Sequence, residues 1–344
     1  MSAELPAAPF PILTSVPALR AWRARIARSG ETVGFVPTMG ALHAGHLSLV
    51  KASLAANDHT IVSIFVNPAQ FAPTEDLATY PRTLDADVAA LSSLVGVSAL
   101  FLPPVEALYP SGITTDVAAQ RGAFVEVKGL QEVMEGASRP GFFRGVATVV
   151  LKLFNLVQPT RAYFGQKDIQ QALVLRRLLL DLHVPAPVYH NLVILPTLRD
   201  AASSLALSSR NAYLAPAERP WATVLVDALA AARTVWDAQR ANASAGGAVA
   251  VADVLAAATA HVASVADRAT ASSTGGGGAR VRVELLYFAL NDPDELHDLV
   301  GTVPQGKGAI LSGAVMLGKT RLIDNLVFDY ELNPPAPAPD AEGE

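Results

Sequence analysis

Cysteine is absent from all 344 residues, which excludes disulfides, a thiolate nucleophile and any cysteine-ligated zinc or iron–sulfur centre. A reducing compartment fits that absence, and we expect a cytoplasmic protein. Charge is scarce too. Asp, Glu, Lys and Arg make up 17% of the chain, and a net charge of −5 leaves no broad basic surface for a nucleic-acid backbone. Any anionic ligand must therefore be held by a local site. Long apolar runs are lacking as well: the stretch 146–157 is broken by Lys152 and Asn155 and falls short of the roughly 20 residues a spanning helix needs. Near the N-terminus Pro6, Pro9 and Pro11 precede a run of arginines, with Leu19, Trp22 and Ile26 at helical spacing among them. That segment reads as a helix docked by one face rather than as a secretory or transit signal.

What is present points to compact layers. Hydrophobic residues supply 51% of the chain, far above a disordered composition, and the length suits two domains of about 100–200 residues. Short apolar runs at 32–36, 60–66 and 99–102 alternate with helical stretches, as in parallel strands covered on both faces. The spacing predicts a helix over 145–156, a strand at 161–164, a helix over 169–182 and a strand at 188–195. The expected architecture is α/β: a Rossmann-like parallel sheet with helices on both faces, over residues 1–211. A smaller C-terminal α+β domain is expected over 212–332, with strands at 281–290 and 309–315. Ala/Gly/Ser-rich composition predicts a flexible surface insertion at about 241–279, and the Pro/Ala/acidic end predicts a disordered tail at 333–344.

Ligands of such sheets bind at the carboxyl ends of strands, and five clusters carry suitable chemistry. In Val36-Pro-Thr-Met-Gly-Ala-Leu-His-Ala-Gly-His46, His43 and His46 stand three apart near a helix start, where amides and the helix dipole attract phosphate. A zinc site would need a third ligand, and simple turn capping is the plain alternative. Phe65-Val-Asn-Pro-Ala-Gln-Phe71 offers Asn67 and Gln70 to hydroxyl and carboxylate groups, although Asn67-Pro68 also suits a turn. Tyr80-Pro-Arg-Thr-Leu-Asp-Ala-Asp87 carries two acids at a helix start, suited either to a nucleotide's magnesium or to capping. Phe164-Gly-Gln-Lys-Asp168 sets a lysine point charge at a strand end. Finally, Leu205-Ala-Leu-Ser-Ser-Arg-Asn211 joins two hydroxyls to a guanidinium fork, a combination that suits a polyphosphate.

In this order and at these separations, the clusters resemble the pantothenate synthetase family, part of the nucleotidylyltransferase superfamily with its His-x-Gly-His signature. The likeness also covers Arg139-Pro-Gly, Val149-Val-Leu-Lys-Leu and Leu317-Gly-Lys-Thr-Arg-Leu-Ile-Asp-Asn325. It implies ATP-dependent condensation of pantoate with β-alanine through a pantoyl adenylate, assisted by Mg2+, in a homodimer. Met39, Gly40, Ala41, Leu42, His43, Ala44, Gly45 and His46 would contact ATP, with His46 as proton donor and His43 on the phosphates. Gly165, Gln166, Lys167, Asp168, Leu198, Leu207, Ser208, Ser209 and Arg210 would also bind ATP, with Lys167 and Arg210 neutralising the triphosphate. Gln70, Gln171 and Asn67 would hold substrate, and Asp87 is the candidate metal ligand.

The chain departs from the family pattern at Ala44, Ala86, Phe142 and Gln166. A superfamily enzyme acting on a phosphorylated substrate would share only the histidine motif, and a nucleotide-binding protein without catalysis would account for the substitutions. Gln70 and Gln171 favour a non-phosphorylated acid, and the retained phosphate donors favour catalysis.

Overall fold

The computed structural model describes residues 5–335 apart from 74, 76, 243–245 and 273–280. The chain divides into two compact units. One runs to Gln166, resumes over 170–196 and takes up the chain again from Glu331; the other comprises Lys167–Ile169 and Thr197–Tyr330.

The first unit is built on a parallel sheet. Among the described residues it holds β1 (Ile12–Leu13), β2 (Val33–Thr38), β3 (His59–Ile64), β4 (Val97–Phe101), β5 (Arg161–Gly165) and β6 (Leu192–Leu195), in the order β1-β4-β3-β2-β5-β6. Successive side chains of β2 are buried on opposite faces, as a run of apolar residues requires. Phe35 meets Phe154 of the Phe142–Val157 helix edge-on, ring centroids 6.3 Å apart. Val36 instead joins Leu49 and Val50 of the Ala44–Ala56 helix in one apolar cluster. Helices thus cover both faces, as expected. β1 was not anticipated, because two residues are too short to show a period.

Strand order reverses at β2. From there the chain proceeds through β3 and β4 on one side and through β5 and β6 on the other. The switch point lies between β2 and β5, the place where open α/β sheets hold ligands beyond the carboxyl ends of their strands.

The second unit pairs β7 (Val249–Ala250) with β9 (Thr302–Val303), and forms an antiparallel sheet from β8 (Val283–Asn291), β10 (Ala309–Leu317) and β11 (Thr320–Phe328). Helices Val224–Arg240 and Val251–Ser272 share its apolar core, with Trp236 stacked on Phe328 at 4.3 Å.

Three expectations need correction. The first unit's long run stops at Pro196, not at Asn211, before the chain returns to it at Glu331. Arg199 forms a two-pronged ion pair with Asp324 on β11, and Leu205 and Leu214 join the second core, so the serine-rich loop belongs with the later residues. The segment 241–279 is not a flexible insertion throughout. Val251–Ser272 is a helix that buries Val254, Ala258, Val262, Val265 and Ala269 at three- and four-residue spacing. Alanine favours helix more than any other residue, and here it separates the valines of one buried stripe. The parts at 243–245 and 273–280 lie outside the described residues. The tail at 333–344 begins anchored. Asn333 accepts from Ile194 N–H and donates to Ile194 C=O, both at 2.8 Å, copying a backbone pair along β6. Residues 336–344 of that tail lie outside the described residues. No helix among the described residues is long and apolar enough to cross a membrane.

Candidate active site

The loop that leaves β2 is held open by its own backbone. Gly40 adopts φ +84° and Ala41 φ +50°, which turns the chain sharply into the Ala44–Ala56 helix. A side chain at Gly40 would also press on Asp87 Oδ2 at 3.0 Å. The carboxylate of Asp87, only 3% exposed, accepts from Ala41 N–H at 3.0 Å and Leu42 N–H at 2.7 Å. Thr83 Oγ1 donates to it as well, at 3.2 Å. Both oxygens are therefore engaged by the loop, while Asp85 and Ala86 are exposed. Asp87 is thus a support for the turn. Among the described residues no group of three or more His, Asp or Glu is placed to hold a metal ion.

The loop delivers two imidazoles to the helix start. His43 is the N-cap, its Nδ1 accepting from Gly45 N–H at 3.1 Å. His46 reaches back so that its Nδ1 accepts from His43 N–H at 3.4 Å, and the rings lie 4.1 Å apart. With both Nδ1 atoms accepting, each neutral ring carries its proton on Nε2 and donates from there. Capping, one of the two roles weighed from the sequence, thus falls on Nδ1 of both rings. Ala44 is exposed, and the first turn of the helix holds no acid, so no internal carboxylate competes for the positive helix end.

Asn67 and Gln70 follow β3. Asn67 is 1% exposed and fully committed: its Oδ1 accepts from Tyr109 OH at 2.7 Å and Ala69 N–H at 3.4 Å, and its Nδ2 donates to Gly145 C=O at 3.1 Å and Gln70 Oε1 at 3.0 Å. Its expected contact with substrate is therefore corrected to support of Gln70, whose Nε2 remains to donate outward. Gly145 is glycine for a local reason: a Cβ there would stand 2.7 Å from Gln70 N. On the Ile169–Asp181 helix, Gln170 is buried and bonds Glu135 N–H, Leu130 C=O and Val133 C=O. Gln171 is half-buried, and its side chain has no hydrogen-bond partner among the described residues. Phe142, where the family pattern has histidine, lies under the Arg139 guanidinium at 3.8 Å, and that guanidinium binds Glu75 with two bonds of 2.9 Å.

Gly165 and Gln166 leave β5 at the switch point, and a Cβ on Gly165 would meet only open space. In the second unit, Lys167, Ser208 and Arg210 line one shallow cleft together with Asp324. Lys167 Nζ lies 3.8 Å from Asp168, and Ser208 Oγ accepts from Arg210 N–H at 3.3 Å. Leu198 is exposed and joined by its C=O to Leu207 N–H at 3.0 Å. The β10–β11 hairpin sets these parts. Asp324, almost fully buried, holds Arg199 through bonds of 2.6 and 3.1 Å, and Asn325 Nδ2 donates to Lys167 C=O at 3.0 Å. The sequence carries both residues within Leu317–Asn325 but gives no sign of what they hold.

A parallel α/β unit that delivers an imidazole pair to a helix start beside its switch point defines a Rossmann-like protein. The pantoate-beta-alanine ligase model matches residues 11–327, and the chain belongs to that family of ligases. It is 45% identical over 317 residues to the pantothenate synthetase of Herpetosiphon aurantiacus, covering 92% of this chain and 99% of that one. The crystal structure of pantothenate synthetase from Thermus thermophilus superposes with a TM-score of 0.73 at 42% identity, covering 92% and 99% of the two chains. A pantoate-beta-alanine ligase from Francisella tularensis, solved with "Beta-gamma ATP" and β-alanine, gives 0.63 at 29% identity, covering 92% and 97%.

Proposed function

We propose that the chain condenses (R)-pantoate with β-alanine using ATP, through a pantoyl adenylate, with release of pyrophosphate and then AMP. The observation that carries this reading is the imidazole pair at the start of the Ala44–Ala56 helix, with both Nδ1 atoms accepting from backbone amides and the proton of each neutral ring therefore on Nε2. In the first step a pantoate carboxylate oxygen attacks the α-phosphorus and the bond to the β-phosphate oxygen breaks. The charge gained by the departing pyrophosphate must be met by donors already in place. His46 and His43 supply N–H groups, and Lys167 and Arg210 supply positive charge to the triphosphate. Met39 to Gly45, Gly165, Gln166, Asp168, Leu198, Leu207, Ser208 and Ser209 complete the nucleotide contacts. No covalent enzyme nucleophile is required. Magnesium would accompany the triphosphate.

In the second step the neutral amine of β-alanine attacks the acyl carbon, AMP leaves, and the amine proton is released. Exclusion of water from the adenylate gives the amine its advantage over hydrolysis. Gln70 and Gln171 hold pantoate through amide donors. The family resemblance extends the reading to a homodimer acting in the cytoplasm.

The test is pantoate-dependent exchange of labelled pyrophosphate into ATP with β-alanine omitted. Exchange is expected, followed by AMP formation once β-alanine is added. Folded protein that forms AMP only when all three substrates are present, with no exchange, would reject the adenylate.

A further inference from the structure

We propose that Tyr109, acting through Asn67, is a positioning residue that steadies the Gln70 side-chain amide with its donor end toward the carboxylic acid substrate. The inference rests on the reading of Gln70 as a substrate contact. It starts from a property of amides: oxygen and nitrogen ends have nearly the same shape, so a side chain free to rotate presents an acceptor as readily as donors. A site for a hydroxy acid needs the donors.

The orientation of Asn67 is fixed by Ala69 N–H and Gly145 C=O, and the Tyr109 hydroxyl, able to donate or accept, gives its proton to the oxygen so placed. Oδ1 faces the Tyr109 hydroxyl at 2.7 Å and Ala69 N–H at 3.4 Å, while Nδ2 faces Gly145 C=O at 3.1 Å. Turning the amide over would set its N–H against Ala69 N–H and its oxygen against Gly145 C=O. Because Nδ2 stays where it is, Gln70 must offer Oε1 to it at 3.0 Å, and Gln70 Nε2 then points away with two protons to give.

Tyr109 is itself held firmly. Its buried ring stacks against Phe65 with centroids 6.4 Å apart. Lys152 Nζ sits 4.0 Å from the centre of the Tyr109 ring and donates to Leu108 C=O at 2.8 Å. Burial keeps the phenol protonated far above its ordinary range, so the hydroxyl has a proton to give to Asn67 at any working pH. A cation beside the ring strengthens that donor.

The experiment is a double-mutant cycle on pantoate affinity, read by calorimetry on the full chain with ATP affinity measured alongside. Gln70→Met should weaken pantoate at least tenfold, the range for a hydrogen bond to a charged acceptor. Tyr109→Phe should weaken pantoate about fivefold, change ATP affinity by less than about twofold, and have no further effect in a Gln70→Met background. If Gln70→Met leaves pantoate binding intact, the reading of Gln70 itself fails. If Gln70→Met weakens binding and Tyr109→Phe does not, or if the two losses simply multiply, the positioning role is overturned. Should Tyr109→Phe fail to fold, Asn67→Asp replaces it, since it keeps the acceptor for Tyr109 and removes the donor to Gln70. The same loss, abolished by Gln70→Met, is then expected, and an undiminished loss overturns the proposal.

Discussion

Replacing Asp87 by Asn separates a carboxylate that supports a loop from one that binds a metal. Asn keeps one acceptor, which can still take Leu42 N–H and the Thr83 hydroxyl. In place of Oδ2 it puts an NH2 group against Ala41 N–H, donor facing donor, where the wild-type contact is 3.0 Å. The change removes one amide-to-carboxylate bond, worth about 1.5–3 kcal/mol, and weakens the two that remain by taking away the charge. Because the site is buried, water does not make up the difference, and a total loss of about 2–4 kcal/mol is expected. At roughly 2–4 °C per kcal/mol for a unit of this size, the melting midpoint should fall by about 5–15 °C. Leu42 precedes the histidine N-cap, so pyrophosphate exchange should slow with it, at every magnesium concentration. Scanning calorimetry and exchange measured across a magnesium series provide the readouts. An unchanged midpoint together with a raised magnesium requirement would refute the argument and return Asp87 to the metal.

Other perturbations act on other joints. His46→Ala should lower kcat by about 10²–10³-fold and cost only about 1 kcal/mol of stability through the lost cap on His43 N–H, as chemical denaturation can show. Gly145→Ala drives a methyl into the Ala69–Gln70 backbone, so pantoate KM should rise and stability fall by about 1–3 kcal/mol; unchanged kinetics would show that the turn yields freely. Asp324→Ala leaves the Arg199 guanidinium without its carboxylate. A loss of about 2–3 kcal/mol is expected, with KM for ATP rising more than KM for pantoate, because the released loop leads to Ser208 and Arg210.

The central strands are legible because apolar residues stand next to one another in them, and the helices because they repeat every three or four. Glycine turns at Gly40 and Gly165 marked the strand ends from which the chemistry leaves. Where composition stood in for periodicity the reading failed: alanine between the valines of 251–272 looked like linker, and Asn333 looked like the start of a loose tail. The polar, serine-rich loop points to a domain boundary after Asn211, whereas the fold keeps that loop with the later residues. Nothing local says that Arg199 will find Asp324.

Residue types at the site are a property of the sequence, since an imidazole, a carboxamide or a guanidinium brings its donors wherever it is placed. Their tasks are not. His43 and His46 present Nε2 because backbone amides three residues or fewer away claim Nδ1, a choice made locally once the helix begins. Asp87, Asn67 and Asn325 find their work 46, 42 and 158 residues along the chain, at the Ala41 amide, the Tyr109 hydroxyl and the Lys167 carbonyl. A buried polar group must take whichever partner the packed fold brings within hydrogen-bond distance, and only tertiary structure decides which that is.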